Sequence, residues 1–324
     1  MVGLKEIAGE IGVSTATVSN ALTGKGRVSP ELVTRIRTRA KELGYRPSNA
    51  ARALKTGQTG ILGLVMPDLT NPLFPRIAQM LSIAADKDGL GILIADSRNS
   101  ADEQGEAQRR LLDRGVDGLI IVPQKGTAPE QLPVPMTIIN TAADPQNSVS
   151  ADHTGGGALI ASHVLEIGHR NVVIVGGDKV SEVQLDRIKG MTDVLGEALL
   201  NVFWGDAAAD EAVASVKSGA TAILTTSDLL ALHVRSALSR AQLSVPDRVS
   251  LTGFDDMTFA SAMHPALTTV AQDVDEIAKR AIQIISAKIR GETHPLEGKT
   301  VPMRLVVRHS TSIANQSAKR RYSR

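Results

Sequence analysis

Asn20 carries a carboxamide that can donate and accept at once, the pairing that the major-groove edge of adenine presents. Thr15 and Ala16 lie one helical turn earlier and offer methyl groups suited to the methyl of a thymine. Ser14, Thr17 and Ser19 add hydroxyls of the kind that bind phosphate oxygens and set register. On a helix that starts after Ser14, Val18 and Leu22 turn inward and leave Thr15, Ala16 and Asn20 on one exposed face. The competing reading of Asn20 is an ordinary exposed helix residue.

The elements needed to present that face can be read on either side of it. Leu4, Ile7, Ala8 and Ile11 recur at helical spacing before Gly12, and Ser14 is a preferred cap for the next helix. A third helix is predicted from Pro30 to Leu43. Ser29 caps it, Leu32, Ile36, Ala40 and Leu43 face inward, and Gly44 stops it. Residues 1–46 thus read as a helix-turn-helix DNA-binding headpiece, whose second helix lies in the major groove. Pro47 and Ser48 then introduce a stretch from Asn49 to Lys55, closed by Gly57, that is only about two turns long and too short to be stable alone.

Charge is distributed to match. Residues 1–57 hold ten Lys or Arg against four Glu, and the terminal KRRYSR adds four more basic residues. Residues 58–318 carry 22 basic and 30 acidic side chains, a net −8, so the whole-chain value of +2 conceals basic ends on an acidic body. A module that neutralises phosphates while joined to a domain with another task has this asymmetry. The 324 residues, 42% hydrophobic, suffice for two or three cored units beyond the headpiece. No apolar run approaches a membrane span, and MVGLKEIAGEIG does not read as an export signal. Zero cysteine excludes disulfides, thiolate metal sites and cysteine nucleophiles, and fits a cytoplasmic protein with no membrane partner.

From Gly60 onward, short Val/Ile/Leu runs alternate with amphipathic stretches. ILGLVM, GILIAD, GLIIVP and MTIIN predict strands separated by helices over 72–88 and 101–114. After Asp152 the alternation restarts, with helices over 154–167, 182–199, 207–218 and 228–241 between NVVIVGG, NVFWGD, AILTT and VSLTGFD. This is an α/β pattern of two doubly wound lobes with parallel sheets. A last helix over 274–290 and strands in VPMRLVVRHSTS cross back between the lobes. Ligands of such sheets bind beyond the carboxyl ends of the strands, which makes the interlobe cleft the expected site.

TVSNAL, ELGYRPSNAARAL, PDLTNPLF, LDRIKGM, GFDD and PALTTVAQD, in that order over nearly the whole chain, resemble the lactose-repressor (LacI/GalR) family of bacterial transcription regulators. The resemblance implies a periplasmic-binding-protein-like core over 59–314, with an N-lobe of about 59–149 and 273–300 and a C-lobe of about 150–272 and 301–314. It also implies a hinge helix at 47–58, a homodimer on a pseudo-palindromic double-stranded operator, and a small effector between the lobes. Ser48, Ala51 and Leu54 join the DNA contacts on this footing, Leu54 as a minor-groove wedge rather than a residue of a small linker core. Arginine often stands in the family where this chain has Asn20, so the operator bases read there should differ.

For the effector the resemblance nominates Asn71, Leu73, Phe74, Asp152, Arg187, Ser227, Asp255 and Gln272. Carboxylates and a guanidinium fork suit vicinal hydroxyls, which points to a sugar or related metabolite. A structural ion pair is the other reading of Arg187 and Asp255. Ser227 replaces the usual asparagine, the segment around 196–220 is shorter than typical, and one Trp, two Tyr and four Phe leave few rings for stacking on a sugar.

Other signals point to structure. Gly155, Gly156 and Gly157 suit close helix packing better than anion binding. The histidines, His163 and His169 included, show no metal-binding pair, and no cofactor is expected. Neither a P-loop nor a Gly-x-Ser-x-Gly elbow is present, so no enzyme activity is expected. The 315–324 tail reads as a solvated basic end without leucine heptads, which implies a dimer and no tetramer bundle. A solute-binding protein with no DNA role would share the core, but the headpiece and the missing export signal oppose it. An enzyme on the same lobes would need residues that are not visible.

Overall fold

The computed structural model describes residues 2–24, 26–45, 53 and 57–314. The chain divides into two compact units, 1–59 and 60–324.

The first unit holds α1 (Leu4–Ile11), α2 (Thr15–Thr23) and α3 (Pro30–Glu42). Ser14 caps α2 by accepting from the Thr17 N–H at 3.1 Å, and Ser29 caps α3, with Pro30 in the first turn. Gly44, at φ +65°, ends α3: the Tyr45 N–H reaches back to the Ala40 carbonyl at 2.8 Å and the Gly44 N–H to that of Lys41 at 3.1 Å. Ile7, Ala8, Val18, Ala21, Ile36 and Ala40 are buried where the three helices meet.

The second unit contains two four-stranded sheets, parallel throughout. The first runs β2 (Gly91–Asp96), β1 (Ile61–Met66), β3 (Gly118–Ile121), β4 (Met136–Ile138). One face packs on α4 (Leu73–Lys87) and α11 (Val274–Ile289), the other on α5 (Ala101–Asp113). The second sheet runs β7 (Leu199–Trp204), β6 (Val172–Gly176), β8 (Ala222–Thr225), β9 (Ser250–Thr252). It lies between α6 (His153–Glu166) with α7 (Glu182–Leu195) and α8 (Ala208–Lys217) with α9 (Asp228–Arg240) and α10 (Thr258–Ala262). Two small sheets carry the crossings: β5 (Val149–Ala151) pairs in parallel with β11 (Lys299–Val301), and β10 (Thr269–Ala271) antiparallel with β12 (Arg304–Val306). α11 therefore returns to the core of the first sheet after the chain has built the second.

The helix expected over 182–199 is shorter than its periodicity suggests. It ends at Leu195, where Gly196 at φ +49° breaks the ladder, and a single 3-10 turn leads into β7 at Leu199, ahead of the expected strand. β5, β10 and α10 are elements of three to five residues, too short for periodicity to announce.

α6 and α7 cross with backbones nearly touching. A Cβ on Gly157 would stand 2.1 Å from the Arg187 carbonyl oxygen, and one on Gly190 would stand 1.9 Å from that of Thr154. Gly157 thus serves helix packing, which brings Arg187 close to the start of α6. Among the described residues no helix is long and apolar enough to cross a membrane.

Candidate functional site

Thr15 and Ala16 are exposed on α2, and Asn20 is half-buried on the same helix. The Asn20 amide lies under Gly26, where a Cβ would meet Asn20 Nδ2 at 3.0 Å, and the φ of +81° at Gly26 is what favours glycine in the turn after α2. The Ser14 and Thr17 hydroxyls bond each other at 2.9 Å at the start of α2, the positive end of the helix dipole. Ser19 is half-buried. Ser48, Ala51 and Leu54, and the 315–324 tail, lie outside the described residues.

The cleft is a cavity of about 510 Å³ between the two sheet-bearing lobes. Asn71, Leu73, Phe74, Arg187, Ser227, Asp255 and Gln272 all line it. The Asn71 carboxamide oxygen accepts from the Leu73 N–H at 3.1 Å and fixes the entry to α4, while Leu73 and Phe74 also pack on the core beneath. The Ser227 hydroxyl accepts from the Leu230 N–H at 3.2 Å as the cap of α9.

Asp152 is placed otherwise. It is not among the cleft-lining residues, and its carboxylate caps α6 by accepting from the Gly155 N–H at 2.9 Å. His153, the next residue, lines the cleft instead. A helix-capping carboxylate and a ligand-binding one look alike in sequence, and the family resemblance that nominates Asp152 does not separate them.

Arg187 is the centre of the wall. Its Nη2 lies 2.8 Å from Asp255 Oδ1, with side chains only 4% and 6% exposed. Nη1 donates to the Thr226 carbonyl at 2.6 Å, Nε donates to His153 Nδ1 at 3.3 Å, and the guanidinium lies 4.1 Å from the centroid of the Phe254 ring. Gln272 Nε2 donates to the same Asp255 oxygen at 2.6 Å. Asp255 holds φ +102°, a backbone conformation rare outside glycine, and its N–H bonds the Val270 carbonyl at 2.8 Å.

The loop bearing Asp255 rests on Asp228, a fully buried carboxylate that sequence reasoning missed. It accepts from Thr269 Oγ1 at 2.6 Å and from the Met257 N–H at 2.7 Å. Burial, partly opposed by the Thr269 hydrogen bond, pushes its pKa up to about 7.

Across the cleft, Lys125 pairs with Asp178 at 3.5 Å, and a Cβ on Gly126 would meet Val180 Cγ1 at 2.5 Å. Arg76 of α4 donates to the Asp256 carbonyl at 2.9 Å. The lobes therefore touch at two places. Gln104 and Gln108, buried on α5, hold the 124–130 loop through its backbone at Gln124, Ala128 and Glu130.

The described residues contain no group of three or more His, Cys, Asp or Glu side chains that could hold a metal ion. His169 is a buried structural ring: Nδ1 lies 2.9 Å from Thr221 Oγ1 and Nε2 lies 3.0 Å from Ser250 Oγ. His163 bonds Thr311 at 3.1 Å.

The sequence pattern of bacterial regulatory proteins of the lacI family matches residues 3–48, and that of a periplasmic binding protein-like domain matches residues 161–311. The HTH-type transcriptional regulator AscG of Escherichia coli is 31% identical over 87% of this chain and 90% of its own length. The chain belongs to the lacI family of bacterial regulatory proteins. A ribose operon repressor of Halalkalibacterium halodurans is 28% identical over 96% of this chain and 97% of its own. A lac repressor dimer solved with operator and the anti-inducer ONPF shares the fold, with a TM-score of 0.81 at 24% identity, covering 96% of this chain and 99% of that one. As a lacI-family member the chain is a DNA-binding transcription regulator, with α1–α3 as its helix-turn-helix unit and a binding-protein-like core.

Proposed function

We propose that this regulator is a cytoplasmic, non-catalytic repressor that binds a pseudo-palindromic operator as a homodimer. A sugar or related metabolite in the interlobe cleft controls it. The observation that carries the DNA half is α2 itself, which presents exposed Thr15 and Ala16 and half-buried Asn20 on a unit rich in Lys and Arg. Asn20 reads a base edge, Thr15 and Ala16 meet thymine methyls, and Ser14, Thr17 and Ser19 hold phosphates.

The cleft supports the second half. A guanidinium and a carboxylate already oriented toward each other by Thr226, Gln272 and Phe254 need little reorganisation to receive hydroxyls. A ligand favouring one lobe arrangement shifts the population toward it and so changes the spacing of two headpieces on DNA. The ribose operon repressor among the relatives makes a pentose a reasonable first effector to try.

The experiment is a thermal-shift screen of sugars, followed by operator binding with and without each hit. A true effector raises the melting temperature by mass action and alters operator affinity. A hit that stabilises the protein without altering DNA binding contradicts the regulatory reading. DNA binding unaffected by any stabilising ligand would leave a constitutive regulator instead.

A further inference from the structure

Arg187 dictates the state of its neighbour. A guanidinium N–H can only donate, so the 3.3 Å contact from Arg187 Nε makes His153 Nδ1 the acceptor and places the proton of the neutral ring on Nε2. Burial first, and the adjacent guanidinium second, hold this imidazole well below the usual histidine range. His153 is 7% exposed and lines the cleft. With Nδ1 taken by Arg187, Nε2 is the ring nitrogen left to meet a ligand in the cleft that His153 lines.

The rest of the wall argues about charge. The charge of Arg187 is already paired with Asp255, and its Nε and Nη1 donate to His153 and Thr226. Lys125, the other cation lining the cleft, faces Asp178. Asp68, Asp144 and Glu182 line the cleft as well. An anionic ligand would meet more carboxylates than unpaired cations.

We propose that His153 is a specificity-determining residue of this cleft, a neutral imidazole fixed by Arg187 as an Nε2–H donor toward an oxygen acceptor of an uncharged, hydroxyl-bearing ligand. The proposal rests on the reading of the cleft as the effector site. It separates sugars from their phosphate esters, and it separates an acceptor oxygen from a donor at one point of the ligand.

The first test needs no ligand. Nitrogen-15 long-range correlation spectra of the full-length, histidine-labelled protein, with His153 assigned by its loss in His153→Asn, report the ring state directly. The expected result is a neutral Nε2–H ring that does not titrate from pH 6 to pH 8, Arg187 and Asp255 being the charged groups packed nearby on α7 and the loop after β9. A proton on Nδ1, or an imidazolium at pH 7, overturns the proposal.

The second test is calorimetry with D-ribose and D-ribose 5-phosphate as probes. D-Ribose should bind at least tenfold more tightly than its phosphate ester. His153→Asn, which keeps an acceptor opposite Arg187 but loses the Nε2–H, should weaken D-ribose about fivefold to tenfold with the melting temperature retained. His153→Gln, which returns an N–H near the position of Nε2, should recover part of the loss. Tighter binding of the phosphate ester, or unchanged ribose affinity in His153→Asn, overturns the proposal. Silence from both sugars would overturn its ligand half and, with the Nε2–H ring intact in the spectra, would be laid to the effector reading rather than to the imidazole.

Discussion

Arg187 and Asp255 form an ion pair at 2.8 Å inside the C-terminal lobe, buried on both sides and shared with the wall of the cleft. They are partners in an ion pair, and both line the cleft. Removing one partner strands a buried charge, which costs about 3–5 kcal/mol, whereas removing both strands none. Arg187→Ala and Asp255→Ala should each lower unfolding free energy by about that amount in urea titrations and abolish effector-induced stabilisation. The double variant should lose less than the two single losses added together. Strict additivity would mean that the pair is not coupled.

Asp228 predicts a pH dependence of defined sign. A carboxyl whose folded-state pKa is raised, here to about 7 against 3.8 ordinarily, holds its proton more tightly when folded. Its contribution to stability is complete below the unfolded value and is lost as pH rises through the folded one. Thermal melts between pH 4.5 and pH 8 should show the wild type losing more stability over this range than Asp228→Asn, since the amide does not ionise. Parallel curves would show that Asp228 is ionised throughout.

Gly157 and Gly190 predict a steric failure. Either Cβ would press on a backbone carbonyl that cannot swing aside as a side chain could. Gly157→Ala should cost about 3 kcal/mol or more in chemical denaturation and weaken effector binding, because α7 carries Arg187. Gly9→Ala, where nothing lies within 4 Å of the added carbon, should leave stability unchanged or slightly higher and serves as the control.

The lobes' alternation of strands and helices is legible because buried strands read as short Val/Ile/Leu runs and their crossover helices as amphipathic stretches. Caps at Ser14 and Ser29 and the stop at Gly44 are legible because one backbone geometry demands each residue type. The cleft is less so. Asp152 reads in sequence equally as a ligand carboxylate or as a helix cap, and in the fold its Oδ1 takes the Gly155 N–H. Asp228 hides because its partners, Met257 and Thr269, are brought to it by the fold from 29 and 41 residues away. Periodicity carries helix 182–195 past its end, since the φ of Gly196 is not written in the spacing of apolar residues.

Selection from a randomised duplex library at fixed salt puts the proposed base contact of Asn20 to the test. The wild-type protein should enrich a pseudo-palindromic motif. Asn20→Ala should enrich the same motif with one base pair per half-site relaxed, a loss of about 1–3 kcal/mol on the selected operator. No enrichment by the wild type, or an Asn20→Ala protein weakened equally on every sequence, would contradict the account.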